Sequence, residues 1–217
     1  TNTTGCRNVA VGKRALKLNT EGCDNVAIGL NTLGANTTGD FNTGIGFASL
    51  KANTTADNNS ALGYCTLSAN TTGSFNTGIG LCSIYTNTTG GCNSALGNDS
   101  LRANTTGSEN TTVGSASMLL NTTGASNAAM GRSALRNNTT GANNVAVGKD
   151  SLKTNTTASG NTAVGESALE VTTTGCCNSA LGNGALQANT TGDNNVAVGQ
   201  AALAFATTAD NNTAVGR

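Results

Sequence analysis

The chain has no proline, histidine or tryptophan, and only four Phe and two Tyr among its 217 residues. Without histidine it lacks the side chain that most often moves protons or binds transition metals near neutral pH. Charge is scarce and balanced, with eleven Lys plus Arg against eleven Asp plus Glu. A formal net charge of zero gives no general attraction to a nucleic-acid backbone or an anionic lipid surface. No apolar run approaches the ~20 residues of a membrane-spanning helix, and the first residues do not read as a secretory leader. Leu, Ile, Val and Phe are few, below the roughly 20% share that packed domains draw on; low net charge nevertheless argues against disorder. These absences predict a non-enzyme with no cofactor and no metal, no nucleic-acid partner and no membrane insertion.

What the chain does have is 29 Gly, with abundant Asn and Thr, in a strict order. Aligned on N-T-T-G, it repeats every 17 residues from Asn2 onward, through twelve whole units (2–205) and a partial thirteenth. Counting the aligned Asn as position 1, position 2 is always Thr, position 7 always Asn, position 11 always Gly and position 15 always Leu, Ile or Met. Position 10 is always aliphatic or Met, and position 9 is Ala except at Gly44, Gly78 and Thr112. No linker or composition shift interrupts the series. The expectation is one array over 1–217, a segment of a longer array or a subunit whose ends stack on neighbours.

A 17-residue unit is too short for two packed helices and carries no helical stripe. The stretch N-V-A-V-G alternates with period two and reads as a short strand, and the stretch around position 15 as a second. Glycine at 11 and N-T-T-G at 1–4 supply the turns. The fold class that follows is all-β: a parallel β-solenoid (β-roll) of about thirteen coils, two short strands per coil, about 4.8 Å between coils. Its expected core is thin, with aliphatics at 10 and 15 and a small residue at 9. A core this thin calls for further burial between chains, so the predicted partner is the chain itself, as a homo-oligomer, trimer or filament.

Stacking sets identical residues above one another. The position 7 column, Asn8, Asn25, Asn42, Asn59, Asn76, Asn93, Asn110, Asn127, Asn144, Asn161, Asn178, Asn195 and Asn212, is expected to form an amide ladder. The threonines of position 2 form either a hydroxyl ladder or a methyl stack.

The phrase N-x-A-V-G-x-x-A/S-L, at Asn144–Leu152 and Asn161–Leu169, resembles the head repeats of trimeric autotransporter adhesins. With N-T-T-G it is also similar to 17-residue repeats of tail-fibre and surface proteins. The resemblance implies a β-roll, trimeric assembly and display outside the cell, on a cell or virion surface; the adhesin repeats themselves are shorter.

Other motifs admit two readings. N-T-T at Asn2, Asn36, Asn53, Asn70, Asn87, Asn104, Asn121, Asn138, Asn155 and Asn189 fits the glycosylation acceptor, or serves turns and ladders alone. Cys6 with Cys23, and Cys65 with Cys82, share a position one coil apart, within reach of inter-coil disulfides, or are small apolar ladder residues. Basic residues gather at positions 12 and 16, acidic ones at 5 and 6, as pairing edges for neighbouring rods or as solvated edges. Five of the six aromatics, Phe41, Phe47, Tyr64, Phe75 and Tyr85, cluster in one stretch, and Phe41 and Phe75 precede Gly44 and Gly78 in the phrase F-N-T-G-I-G. Either each ring covers the bare glycine, or the cluster is an exposed patch for a partner. The function expected is structural, a shaft or repeat unit of an extracellular filament or fibre. An adhesin or tail-fibre module that binds a glycan or host surface is the alternative, and an ice-binding threonine array a third.

Overall fold

A computed structural model describes residues 2–217. Contacts group the described residues into two compact units, the first ending at Glu109 and the second running over Asn110–Arg217. Each is an all-β parallel solenoid with 17-residue coils.

The first unit holds β1 (Val9–Val11), β2 (Val26–Ile28), β3 (Thr43–Ile45), β4 (Ser60–Leu62), β5 (Thr77–Ile79) and β6 (Ser94–Leu96). They pair in chain order, parallel and in register, each residue opposite its counterpart 17 residues on (Val9 with Val26, Ala27 with Gly44). The second unit repeats the pattern with β7 (Thr111–Val113), β8 (Ala128–Met130), β9 (Val145–Val147), β10 (Thr162–Val164), β11 (Ser179–Leu181), β12 (Val196–Val198) and β13 (Thr213–Val215). A one-residue change in coil length would turn every strand inside out, so the constant period holds the register.

The strand occupies positions 8–10 and turns its middle residue inward. Ala27, Ala129, Ala146 and Ala163 are fully buried, whereas Val11, Leu62, Met130 and Leu181 lie outside. This corrects the expected core: position 10 is aliphatic but outward, because strand alternation lets only one of positions 9 and 10 face in. The large core side chains all come from position 15, among them Leu33, Leu50, Leu67 and Ile84 in the first unit and Leu135, Leu152, Leu169 and Leu186 in the second.

The second stretch of each coil is not a strand. Positions 12–17 form turns in which positions 13 and 15 are left-handed, as at Ala48 (φ 53) and Leu50 (φ 51). Left-handed backbone costs a non-glycine residue roughly 1–2 kcal/mol. Here it lets the chain reverse within a few residues while driving the position 15 side chain into the core. Bonds between coils compensate: Leu33 N–H donates to the Ser49 carbonyl (3.1 Å), and Ala35 N–H to that of Lys51 (3.1 Å). At position 11 glycine is obligatory on two counts. Its φ is 126–143°, and a Cβ on Gly12 would stand 2.6 Å from the Gly29 carbonyl oxygen of the next coil.

Candidate functional site

Two buried asparagine columns close each coil onto the next. In the position 7 column the side-chain oxygen accepts from the backbone N–H of the next Asn, as Asn42 N–H to Asn25 Oδ1 (2.9 Å) and Asn144 N–H to Asn127 Oδ1 (2.9 Å). Its amide donates to the position 4 carbonyl one coil on, as Asn25 Nδ2 to the Gly39 oxygen (2.8 Å). In the first unit this runs over Asn8, Asn25, Asn42, Asn59, Asn76 and Asn93. In the second it runs over Asn110, Asn127, Asn144, Asn161, Asn178, Asn195 and Asn212.

The position 1 column forms a second ladder whose regularity is hard to see in an N-T-T-G turn. Asn36 Nδ2 donates to Asn19 Oδ1 (2.8 Å) and to the Gly39 carbonyl of its own coil (2.9 Å). One carbonyl, that of Gly39, thus receives Asn25 and Asn36 together. These amides are buried and donate to protein acceptors at Asn36, Asn53, Asn70, Asn87, Asn104, Asn121, Asn138, Asn155 and Asn189. A glycan has no room on them in the folded coil, so for this column the turn-and-ladder reading stands and the glycosylation reading does not. Asn2 alone of the acceptor asparagines is exposed. The ladder breaks at Thr172, leaving the buried Asn155 Oδ1 without a hydrogen-bond partner, and again at Ala206, which leaves Asn189 Oδ1 so.

The position 2 hydroxyls form no hydroxyl-to-hydroxyl ladder. They donate instead to the backbone carbonyl of the next threonine, as Thr37 to Thr54 (3.1 Å) and Thr139 to Thr156 (2.9 Å).

Cys6 and Cys23 are disulfide-bonded, with Cα atoms 4.6 Å apart. Cys65 and Cys82, also one coil apart, are free thiols, half-buried at left-handed positions; of the two readings offered there, the inter-coil disulfide is not formed. Burial foremost, then the neighbouring Cys65, raises the Cys82 thiol. At Cys176 the thiol is pushed up to about 11, first by its hydrogen bond with Cys177, then by burial and Asp193.

The ion pairs between coils join residues of one position (6, 12 or 16), not the basic positions 12 and 16 to the acidic positions 5 and 6. Arg7 holds Asp24 at 2.6 Å, raising the guanidinium and lowering the carboxyl, and Lys149 reaches Glu166 at 2.9 Å and so is itself raised. Lys153 lies 3.3 Å from Asp150 and 3.8 Å from Glu170. Among the described residues no three His, Cys, Asp or Glu converge on a metal position, and no helix is long and apolar enough to cross a membrane.

The phenylalanine cover over glycine is not what forms. The bare side of Gly44 faces inward, where a Cβ would stand 2.6 Å from the Thr32 methyl. Phe41 lies largely in solvent, as does Phe75.

The surface feature that stands out belongs to the first unit. Ile28, Leu62, Ile79 and Leu96 at position 10 and Leu30, Phe47, Tyr64 and Leu81 at position 12 are each between 39 and 52% exposed. They form two adjacent columns on either side of the position 11 glycines. Phe47 and Tyr64 stack, with ring centroids 4.9 Å apart and planes within 10°. The periodic pattern places position 10 in the core rather than here, and the aromatic cluster of the sequence holds Phe47 and Tyr64 without showing that they share a column with Leu30 and Leu81.

Compared with family models, curated proteins and solved structures, the chain matches none.

Proposed function

We propose that the chain is a structural protein, the shaft or repeat unit of an extracellular filament or fibre that works by stacking its own coils and associating with copies of itself. The observation that supports this reading most is where the polar side chains go. Nearly every coil commits two asparagines and a threonine to bonds with neighbouring coils, so the most constant residues serve cohesion. Every such bond contributes about 1 kcal/mol net, and repetition along a stack makes a stiff element from a core with few aliphatics. An outward apolar column at position 10 adds a surface suited to lateral contact.

Electron microscopy of the purified chain, with light scattering, tests the proposal. Threads or bundles of uniform width are expected. Dispersed single particles at every concentration would refute a structural role of this kind, and capture on a glycan array by such particles would favour the adhesin reading. The ice-binding reading gains little, since the position 2 hydroxyls are engaged between coils.

A further inference from the structure

We propose that the row Leu30, Phe47, Tyr64 and Leu81, with the position 10 aliphatics beside it, is the surface on which a second copy of this chain docks, antiparallel, about a two-fold axis between Phe47 and Tyr64. This rests on the self-associating reading above and names the face and the geometry it uses.

The coil itself does not ask for these residues. The same position carries Arg132, Lys149, Glu166, Asn183 and Gln200 in the second unit, in coils that fold identically. Four consecutive large apolar side chains left about half in water gain little within the chain, and they occur in one stretch only.

Area and symmetry identify the occupant. At roughly 80 Å² of bare surface each, the eight side chains of the two columns present on the order of 600 Å², the upper end of what a monomer leaves uncovered. That approaches the ~800 Å² per partner of a standard interface. The row reads the same in both directions by class: aliphatic, aromatic, aromatic, aliphatic. A two-fold contact is self-complementary, and this one sets Leu30 against Leu81 of the other copy and Phe47 against Tyr64. Side chains that recur once per coil find the same spacing only on another stack of coils. The axis also brings Arg14, at position 13 of the first coil, to Asp99, at position 13 of the sixth, whose carboxylate Arg102 of its own coil approaches only to 3.6 Å, so opposite charges meet at the rim. A sugar ligand is disfavoured because stacking on each other occupies one face of both rings.

The test is sedimentation velocity on the 217-residue chain through the micromolar range. The wild type is expected to double in mass with concentration. The variant Phe47→Arg/Tyr64→Lys copies the Arg132 and Lys149 pair of the second unit, so its coils have a precedent. Dimerisation should weaken at least tenfold, about 1.4 kcal/mol or more, with circular dichroism and melting unchanged. Phe41→Asn, an exposed aromatic outside the row, should dimerise like the wild type. Arg14→Glu and Asp99→Lys should each weaken the dimer and together restore it, which a parallel arrangement would not show. A wild type that stays monomeric, even one that binds vesicles or glycans, overturns the proposal; so does a row variant that associates as well as the wild type. Threads that persist in the row variant sink the docking row but spare the structural reading. Wild-type dimers that never grow into threads or bundles do the reverse.

Discussion

The methyl group of Thr32 occupies the space that a side chain on Gly44 would need, 2.6 Å from the position of the missing Cβ. The same relation holds between Thr66 and Gly78, at 2.7 Å. In the first unit threonine stands at position 14 only at these two residues, and glycine at position 9 only 12 residues after each. One pocket between two coils is filled once, from either side. The Thr32 hydroxyl meanwhile donates to the Gly46 carbonyl (2.6 Å).

Gly44→Ala is therefore expected to cost about 1–3 kcal/mol by overpacking. Thr32→Ser/Gly44→Ala should recover most of it, because Ser49 and Ser83 already face Ala61 and Ala95 in this way. Urea unfolding of the four members of the cycle measures the coupling. Additive losses would contradict the shared pocket.

The broken ladder at Thr172 offers a gain. Thr172→Asn places a donor beneath the buried, unpartnered Asn155 Oδ1 and should stabilise the chain by about 1 kcal/mol, after losing the present hydroxyl bond to the Asn189 carbonyl. The converse change, Asn76→Ala, strips the acceptor of Asn93 N–H and the donor to the Gly90 carbonyl. It should cost about 2–4 kcal/mol. Thermal melting of both variants reads the sign, and equal shifts would refute the ladder's role.

Position 6 is left-handed throughout the first unit, from Arg7 (φ 52) to Glu109 (φ 61). Phe75 sits there at φ 62, largely exposed. Asn tolerates this backbone far better than an aromatic residue, so Phe75→Asn is expected to stabilise by about 0.5–1 kcal/mol. A loss in chemical denaturation would mean that the ring makes contacts of its own.

The thiols should separate by reactivity. Cys92 and Cys177 are exposed and should alkylate before the half-buried thiols, while Cys6 and Cys23 resist until reduced. Cys176, raised from the ordinary value to about 11, keeps its proton at neutral pH, so its alkylation should quicken only as the pH approaches that value. An acid raised in the fold contributes stability below its unfolded value and loses it as pH climbs through about 11. Mass spectrometry of Cys176 alkylation from neutral pH to about 11 would show it, and a Cys176 that alkylates fully at neutral pH would count against it.

The period of 17, the glycine at 11 and the asparagine at 7 were legible in the amino-acid order, because a parallel stack in register repeats its chemistry at one interval. The solenoid, its register and the position 7 ladder follow from that interval alone. Which aliphatic column faces inward was not legible: Val11 and Leu16 are equally apolar, and only the alternation of the strand and the left-handed turn at position 15 send one out and the other in. The burial of Asn36 likewise depended on an arrangement in space, since N-T-T-G reads as a surface turn until the Gly39 carbonyl is seen collecting two amides. The apolar row at Phe47 and Tyr64 was decided by folding too, which sets residues 17 apart side by side and turns scattered substitutions into one continuous surface.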